Sequence, residues 1–473
     1  MGEMRVPEEA LYGASTQRAV LNFSISGRPL PPAFIRSLGL VKLACARANE
    51  ELGLLAPAKS RLIQQVAQEI ADGRLDDQFP VDVFQTGSGT STNTNANEVI
   101  ANRASQLTGE PLGSKRPVHP NDDVNLGQSS NDVIPTALHV SVAVALSTQL
   151  GPALDALAEA LKQKVHAFSA IVKIGRTHLM DATPLTLGQE FSGYAAQIRK
   201  ASERAARGVG ILGELAIGGT AVGTGINTHP EFGARVCRIL RADTAIEFVP
   251  AANHFEAQGA RDDCVEVAGI LTTIAVSLTK IANDLRWLGS GPRAGLGELR
   301  LPATQPGSSI MPGKVNPVMC EMLVQVGLYV QGLSQTVALA GREGSFELNT
   351  TLPLQAWCLL DATQCLAKAV TAFTEKCVAG LEADAARCGE LVDRSLMLVT
   401  ALSPKLGYDV AAAVAKEALE TGRTLREVVL ARGLLDAATL DRLLDPAAMT
   451  RAGELLTGGK RGPKPKGCRA RAG

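Results

Sequence analysis

Apolar residues recur at helical spacing over long stretches in the middle of the chain. One stripe advances in steps of four and three residues: Leu150, Leu154, Leu157, Leu161, Val165 and Phe168. A second stripe alternates the two steps strictly: Val267, Leu271, Ile274, Leu278, Ile281, Leu285 and Leu288. Such steps place the apolar side chains on one face of an α-helix, and strict alternation is typical of near-parallel bundle helices. The pattern therefore predicts a central bundle of long helices.

The same pattern divides the chain into segments. Residues 1–128 mix short helical patterns with loops, 129–386 contain the long helices, and 387–457 return to short helices. We expect a mainly α, three-domain fold with an N-terminal mixed domain, a central helical-bundle domain and a small C-terminal helical domain. Beyond Gly458, lysines and arginines alternate with Gly and Pro, so 458–473 is expected to be a disordered, solvated basic tail.

Long helices with more than one apolar face are buried more easily between subunits than within one chain. We therefore expect a homo-oligomer with a helical core.

Composition narrows the possible partners. The chain of 473 residues is 45% hydrophobic but only 4% aromatic, as expected of closely packed helices. Its formal net charge is zero, which gives no broad electrostatic surface for nucleic acid or an anionic membrane. We also expect no signal peptide and no apolar run of transmembrane length. Nine scattered cysteines with no CxxC pair indicate reduced thiols and a cytoplasmic protein.

Several familiar cofactor motifs are matched poorly. Gly208–Gly213 fits GxGxxG but lies in a helical Ala/Leu context rather than after a strand. Gly218–Gly225 lacks the GK[ST] ending of a phosphate loop and is expected to be a turn or a loop that shapes a site. The six histidines are dispersed and form no HExxH, so we expect no metal and no cofactor.

A loop rich in Gly, Ser and Pro occupies residues 307–317, with the sequence Gly-Ser-Ser-Ile-Met-Pro-Gly-Lys-Val-Asn-Pro. Asn316 is expected to cap the following helix, with Pro317 at its first position. The free amides of a helix start, together with Lys314, favour a bound anion.

Three further stretches place polar residues just before a predicted helix. Thr86–Asn93 precedes one helix, and His119–Asp122 leads to Gln128–Asp132 before a second. Arg176–His178 leads to Thr183 and Pro184, which we expect to cap and begin a third. Together they offer hydroxyls, amides, histidines and cations but no metal cage, which suits a small, multiply charged carboxylate.

The loop at 307–317 is very similar to the signature loop of the fumarase/aspartase superfamily. More narrowly, five stretches resemble class II fumarase: Gln85–Thr90, His119–Asn125, Ser129–Asp132, Gly175–His178 and Phe346–Asn349. Aspartases of this superfamily usually have Gln, Thr and Ala where this chain has His178, Ser130 and Gly313, so all three positions favour fumarase. The departures of this chain from the motifs usual in fumarases include Leu126–Gly127, Gln331–Ser334 and Thr350–Pro353.

The resemblance implies roles for individual residues. Ser308 would be the catalytic base, and His178, supported by Glu321, would handle the proton of the leaving hydroxyl. The implied substrate-binding residues are Ser88, Gly89, Thr90, Ser129, Ser130, Asn131, Thr177, Ser309, Lys314, Val315 and Asn316. An accessory carboxylate site would comprise Arg116, His119, Pro120, Asn121 and Asp122. Members of the family are tetramers whose active sites are shared between subunits.

The activity implied is the reversible, metal-independent hydration of fumarate to (S)-malate through a carbanion. The serine would need loop amides around Gly307 and the nearby cation to stabilise its alkoxide. Two alternatives remain open: an ammonia lyase acting on aspartate, and a catalytically silent helical scaffold.

Overall fold

The computed structural model describes residues 3–457, and the basic tail expected at 458–473 lies outside the described residues. The described chain is mainly α, as predicted. Its α-helices, in chain order, are α1 (Ala14–Asn22), α2 (Pro32–Glu51), α3 (Pro57–Ala71), α4 (Thr90–Thr108), α5 (Ser130–Ala145), α6 (Gly151–Ala167), α7 (Leu187–Ile211), α8 (Phe232–Thr244), α9 (His254–Gly259), α10 (Asp262–Leu288), α11 (Val318–Gly341), α12 (Leu352–Phe373), α13 (Ala385–Arg394), α14 (Ser403–Leu406), α15 (Tyr408–Thr421), α16 (Leu425–Ala431), α17 (Ala437–Leu443), α18 (Pro446–Met449) and α19 (Glu454–Thr457). Shorter 3₁₀ or π turns occupy Asp76–Gln78, Pro120–Val124, Leu146–Leu150, Thr374–Val378 and Leu396–Leu402.

The strands form small two-stranded sheets. They are β1 (Val172–Thr177), β2 (Met180–Thr186), β3 (Glu214–Leu215), β4 (Val249–Pro250), β5 (Leu299–Arg300), β6 (Gly344–Ser345), β7 (Leu348–Asn349) and β8 (Glu382–Ala383). The pairs β1–β2, β5–β8 and β6–β7 are antiparallel, and β3–β4 is parallel. Among the described strands, only those of the β1–β2 hairpin are long enough to present side chains on two faces.

The second apolar stripe lies along α10, and the first runs along α6, starting at Leu150 in the preceding π turn and ending at Phe168 just after the helix. All seven residues of the second stripe are buried along α10. In the first stripe, Val165 is half-buried and the others are buried. The prediction of long helices with an apolar face is therefore confirmed.

Internal packing divides the described chain into two units. The first takes in the chain up to Ala156 together with Ile198–Ala282 and Glu321–Phe373. The second takes in Leu157–Gln197, Asn283–Cys320 and the chain from Thr374 onward. The three domains expected from the sequence stay a prediction.

The core of the first unit is built around α2 and α5. Helix α2 packs against α3, α5 and α8, and α5 packs against α12. Nearly every side chain of α5 is buried because neighbours cover it on several sides. These two helices fix the loops that precede α4 and α5.

In the second unit, the β1–β2 hairpin packs against helices of the C-terminal segment. Strand β1 contacts α13, while β2 contacts α18 and the 3₁₀ turn Leu396–Leu402. Ile174 of the hairpin belongs to the same apolar cluster as Val414 and Val428. The base of the hairpin is thus held by a packed core.

Three helical stretches are long and apolar enough, by length and composition only, to cross a membrane: Ser130–Ala167, Asp262–Leu288 and Val318–Gly341. By length and composition, the expectation that no apolar run reaches transmembrane length is therefore wrong. Ala, Val and Leu raise the average hydropathy of these three stretches, although polar residues interrupt the apolar sequence in each of them. In the first stretch, 78% of the most apolar window is buried inside the protein, as in a core helix.

Candidate active site

The loop at 307–317 closes on itself. The Gly307 N–H donates to the Lys314 carbonyl at 2.9 Å, and Asn316 Nδ2 donates to the Gly307 carbonyl at 2.7 Å. Lys314 Nζ donates to Asn316 Oδ1 at 2.6 Å, which ties the cation to the same closure. A Cβ at Gly307 would lie 2.4 Å from the Lys314 carbonyl oxygen, so only glycine fits this crossing.

Ser308 lies inside that closed loop, beside a cavity of about 400 Å³ lined by the loop and the residues preceding it. Its Oγ accepts hydrogen bonds from the backbone N–H of Ile310 at 3.3 Å and of Met311 at 3.0 Å. Two N–H groups aimed at one oxygen favour negative charge on it. The amides that would stabilise an alkoxide are therefore those of Ile310 and Met311, rather than the amide of Gly307, which is bonded to Lys314.

The predicted start of α11 also needs correction. The helix begins at Val318, and both ends of the Asn316 amide are used within the loop. Asn316 therefore holds the loop closed and does not cap α11. Ser309, Lys314 and Val315 are exposed on the loop.

His178 lies at the exposed tip of the β1–β2 hairpin. Thr177 pairs with Met180, and the two residues between them, His178 and Leu179, have φ angles of 56° and 63°. A two-residue turn with both central φ angles positive matches the twist of the strands. The turn places the His178 imidazole in solvent-accessible space, with Thr177 exposed beside it.

The expected helix start at Thr183–Pro184 is wrong. Both residues belong to strand β2, where Pro184 pairs with Ile174, and α7 begins at Leu187. The cap is Thr186: its Oγ1 accepts from the Gln189 N–H at 3.1 Å, and Gln189 Oε1 accepts from the Thr186 N–H at 2.9 Å. This T-x-x-Q capping box was visible in the sequence.

In the first unit, Ser88 and Thr90 lie where α4 begins. Their hydroxyl oxygens are 2.8 Å apart, and Gly89 between them has a φ of 74°. A Cβ at Gly89 would lie 2.7 Å from the Cγ2 of Ile134 in α5. Glycine therefore lets the two hydroxyls sit close against α5.

Ser129, Ser130 and Asn131 form the start of α5. The Ser129 N–H donates to Asp132 Oδ1 at 2.9 Å, and Ser129 Oγ accepts from the Asn131 N–H at 3.2 Å. These reciprocal bonds form a capping box at the helix start. Ser130 Oγ accepts from Asn93 Nδ2 at 3.0 Å, which joins the starts of α4 and α5.

The glycine-rich loop Gly218–Gly225 lies against this helix start. The sequence predicts either a turn or a site-shaping loop for this stretch. Asp132 Oδ2 accepts from the N–H groups of Gly218 at 3.1 Å and Thr220 at 3.0 Å. Asn131 Nδ2 donates to the Ala221 carbonyl at 2.8 Å. Burial raises the pKa of the Asp132 carboxyl to about 6, although these N–H groups and Lys42 oppose the shift.

The predicted accessory residues lie near the same helix start. A cavity of about 610 Å³ is lined by Asn121 and Asp122 together with Ser129 and Thr220. His119 Nδ1 accepts from the N–H groups of Asn121 at 3.2 Å and Asp122 at 3.0 Å.

The remaining accessory residues differ in exposure. Pro120 begins the π turn Pro120–Val124, where it is half-buried. Arg116 is exposed, and its carbonyl accepts from Ser105 Oγ.

The predicted site residues fall into both units. The first holds Ser88–Thr90, Ser129–Asn131, the accessory residues and Glu321, and the second holds Thr177, His178 and 308–316. Sequence reasoning missed one buried group, Lys42, whose Nζ donates to Asn125 Oδ1 and Gln128 Oε1. In residues 3–457, no group of three or more His, Cys, Asp or Glu is arranged to hold a metal ion.

Known proteins resemble this chain over nearly its whole length. The family model described as "Lyase" matches residues 2–332, and that described as "Fumarase C C-terminus" matches residues 398–451. A class II fumarate hydratase of Mycobacterium tuberculosis is 54% identical over 460 residues, covering 96% of each chain. A class II fumarate hydratase of Bradyrhizobium diazoefficiens is 51% identical over 452 residues, again covering 96% of each. The crystal structure of the class II fumarase from Schistosoma mansoni superposes with a TM-score of 0.92 at 40% identity, covering 95% of this chain and 97% of that one.

Proposed function

Since the chain belongs to the lyase family of the fumarase/aspartase superfamily, we infer that it is a class II fumarate hydratase that interconverts fumarate and (S)-malate. It is thus a hydro-lyase acting on a small dicarboxylate. The environment of Ser308 best supports a role in proton abstraction. Its Oγ accepts hydrogen bonds from two backbone N–H groups, and Lys314 belongs to the same loop.

The proposed reaction begins with removal of a proton from the malate carbon next to a carboxylate. Ser308, as its alkoxide, takes this proton, and the electron pair spreads into that carboxylate. Lys314 and Asn316 would hold the resulting charge. The side chains expected to bind the substrate are Ser88, Thr90, Ser129, Ser130, Asn131, Thr177 and Ser309, with the backbone of Gly89 and Val315.

The second half of the reaction breaks the carbon–oxygen bond of malate. His178, assisted by Glu321, would give a proton to the leaving hydroxyl, which departs as water and leaves fumarate. In the hydration direction, the same imidazole would polarise the attacking water. We propose that a separate, accessory site also binds a carboxylate. Its residues are Arg116, His119, Pro120, Asn121 and Asp122.

We propose that the active enzyme is a homotetramer with sites shared between subunits. Apolar side chains remain exposed in this chain on α10 and α11, among them Val276, Leu328 and Leu339. Exposed apolar faces of this kind mark subunit contacts. A monomer by light scattering, in a preparation that hydrates fumarate, would contradict shared sites.

We also propose a cytoplasmic location. All eight cysteines within the described residues are free of disulfides, as expected in a reducing compartment.

One assay tests the activity. Purified enzyme is given malate and then aspartate, and fumarate formation is followed by its ultraviolet absorbance. Formation from malate supports a hydratase and formation from aspartate supports an ammonia lyase. If neither substrate reacts, the scaffold alternative is favoured and the proposed function is wrong.

A further inference from the structure

Lys42 is a buried cation beside the loop that leads into α5. It lies in the middle of α2, is only 1% exposed, and donates from Nζ to Asn125 Oδ1 at 3.0 Å and Gln128 Oε1 at 2.9 Å. Within residues 3–457, Nζ has no carboxylate partner within ion-pair distance. Burial lowers the pKa of the Lys42 ammonium to about 8, while Asp132 acts in the opposite direction. Burying a cation against neutral amides is costly, so this lysine needs an explanation beyond packing.

The acceptor Asn125 connects Lys42 to two other buried amides. Its Oδ1 accepts from Asn93 Nδ2 at 3.2 Å and from Asn97 Nδ2 at 3.3 Å, in addition to Lys42. Asn93 Nδ2 also donates to Ser130 Oγ at 3.0 Å. A chain of hydrogen bonds therefore runs from Lys42 through Asn125 and Asn93 to Ser130.

The direction of this chain depends on the cation. A lysine ammonium only donates, so it requires Asn125 to present its oxygen and not its NH₂ group. The Oδ1 atoms of Asn93 and Asn97 are buried and find no hydrogen-bond partner in the part of the chain that the structure describes. Asn125 Nδ2 also donates to the Gln128 carbonyl at 3.1 Å, so this bond and the Lys42 cation together hold the Asn125 amide in its orientation. Without Lys42, the Asn125 oxygen loses its one charged donor. A flip would then let Asn125 donate to one of these oxygens at the expense of the Gln128 contact, and the Asn93 amide would turn with it.

We propose that Lys42 is a positioning residue for the dicarboxylate site. Its cation fixes the direction of the hydrogen bonds from Asn125 to Asn93, so that Ser130 Oγ accepts from the protein. The Ser130 proton then stays available to a substrate carboxylate. This role rests on the proposed function, in which Ser130 binds the substrate.

The primary test is the variant Lys42→Met in the full-length enzyme. Methionine has a similar length but neither charge nor donor. We expect the KM for fumarate to rise by about 10-fold or more while kcat changes less than about 3-fold, because the Ser130 contact serves ground state and transition state alike. Succinate, a non-reacting dicarboxylate, should lose affinity as an inhibitor in parallel.

A matched control separates positioning from stability. Ser60→Ala removes a buried hydroxyl that donates to the Ala46 carbonyl of the same helix α2 at 3.2 Å. It should lower the melting temperature without changing KM. If Lys42→Met likewise lowers only the melting temperature, the positioning role is wrong.

Coupling to Ser130 provides the second test. In a Ser130→Ala background, Lys42→Met should raise KM much less than it does in the wild type, because the two residues act through one contact. Fully additive effects would contradict the proposal. Should Lys42→Met fail to fold, Asn125→Leu removes the acceptor that joins Lys42 to Asn93, while Lys42 keeps Gln128 and Ser130 keeps Asn93. A raised KM supports the proposal, and an unchanged KM contradicts it.

The wild-type assay separates this inference from the proposed function. A wild type that does not hydrate fumarate contradicts the function itself. An active wild type with an unchanged KM in Lys42→Met contradicts only the role of Lys42.

Discussion

Arg176 and Glu298 form a two-point ion pair close to the turn of the hairpin that carries His178. Nη1 lies 2.9 Å from Oε2 and Nη2 lies 3.1 Å from Oε1, and the Glu298 side chain is fully buried. Lys173, on the same strand, lies 3.4 Å from Glu298 Oε2 and 2.8 Å from Glu190 Oε2. Because Arg176 is two residues before His178, this buried cluster holds the strand that positions the imidazole.

Replacing Glu298 with Gln should therefore destabilise the protein. The substitution removes the carboxylate that pairs with the buried cations of Arg176 and Lys173. Removing one partner of a buried ion pair typically lowers the free energy of unfolding by about 3–5 kcal/mol. Denaturant unfolding monitored by circular dichroism measures the loss. Glu159→Gln is the control, since Glu159 pairs with Lys162 at the exposed surface, and this variant should change stability by less than about 0.5 kcal/mol. Equal effects for the two variants would contradict the importance of the buried cluster.

Ser308→Ala should remove most of the activity and leave the fold intact. A group that abstracts the proton contributes roughly 10²- to 10⁴-fold, and Ser308 lies in a loop whose contacts are local. We expect kcat for fumarate hydration to fall by about that factor, with an unchanged melting temperature and oligomeric state. Ser309→Ala, which removes a predicted binding contact, should mainly raise KM. A Ser308→Ala enzyme that keeps most of its kcat would mean that another group is the base.

Gly307→Ala tests the closure of the same loop. The new Cβ would meet the backbone of Lys314 at 2.4 Å and of Asn316 at 2.8 Å, so the loop has to shift. A misplacement of about 1 Å costs around 10²-fold in rate, and kcat/KM should fall by roughly that amount. Gly389→Ala, in helix α13 of the same unit, is the control, because its Cβ would meet no atom of the described residues within 4 Å. Its kcat/KM should equal that of the wild type, and a normal rate in Gly307→Ala would argue against a tight loop.

Local patterns in the sequence predicted the long helices because the burial of a residue such as Leu278 follows from helical periodicity alone. The same reasoning failed at Thr183–Pro184, where a Thr-Pro pair that often begins a helix instead lies in an edge strand. The deciding information was the pairing with Ile174, which is a tertiary contact. Proline is tolerated both in the first turn of a helix and in an edge strand, so its presence does not distinguish the two structures.

The residues around the candidate site were predictable only in part. The spacing of Ser129 and Asp132 is that of a capping box. However, nothing in the sequence indicates that the Asp132 carboxylate also accepts hydrogen bonds from the backbone N–H groups of Gly218 and Thr220. Lys42 was missed for the same reason. A single lysine in an apolar helix is usually solvent-exposed, and its amide partners lie more than eighty residues away along the chain.

Asp263, in the first turn of α10, should make the stability of the protein depend on pH. Burial and the nearby Glu256 raise the pKa of the Asp263 carboxyl from its ordinary value of 3.8 to about 6. Between these two values the folded state binds more protons than the unfolded state, so stability falls as pH rises from about 4 to about 6. Because Asp263 is only half-buried, we expect an effect of about 1 kcal/mol rather than the full value of the shift.

The variant Asp263→Asn isolates this contribution, since asparagine keeps the shape of the side chain and does not titrate. Relative to the wild type, it should gain about 1 kcal/mol of unfolding free energy between pH 4 and pH 7, because the wild type alone carries the buried charge at neutral pH. Urea unfolding at both pH values measures the difference. Asp262→Asn, at the exposed neighbouring position, provides the control and should show no such change. An Asp263→Asn protein whose stability relative to the wild type is the same at both pH values would show that Asp263 titrates alike in the folded and unfolded chains.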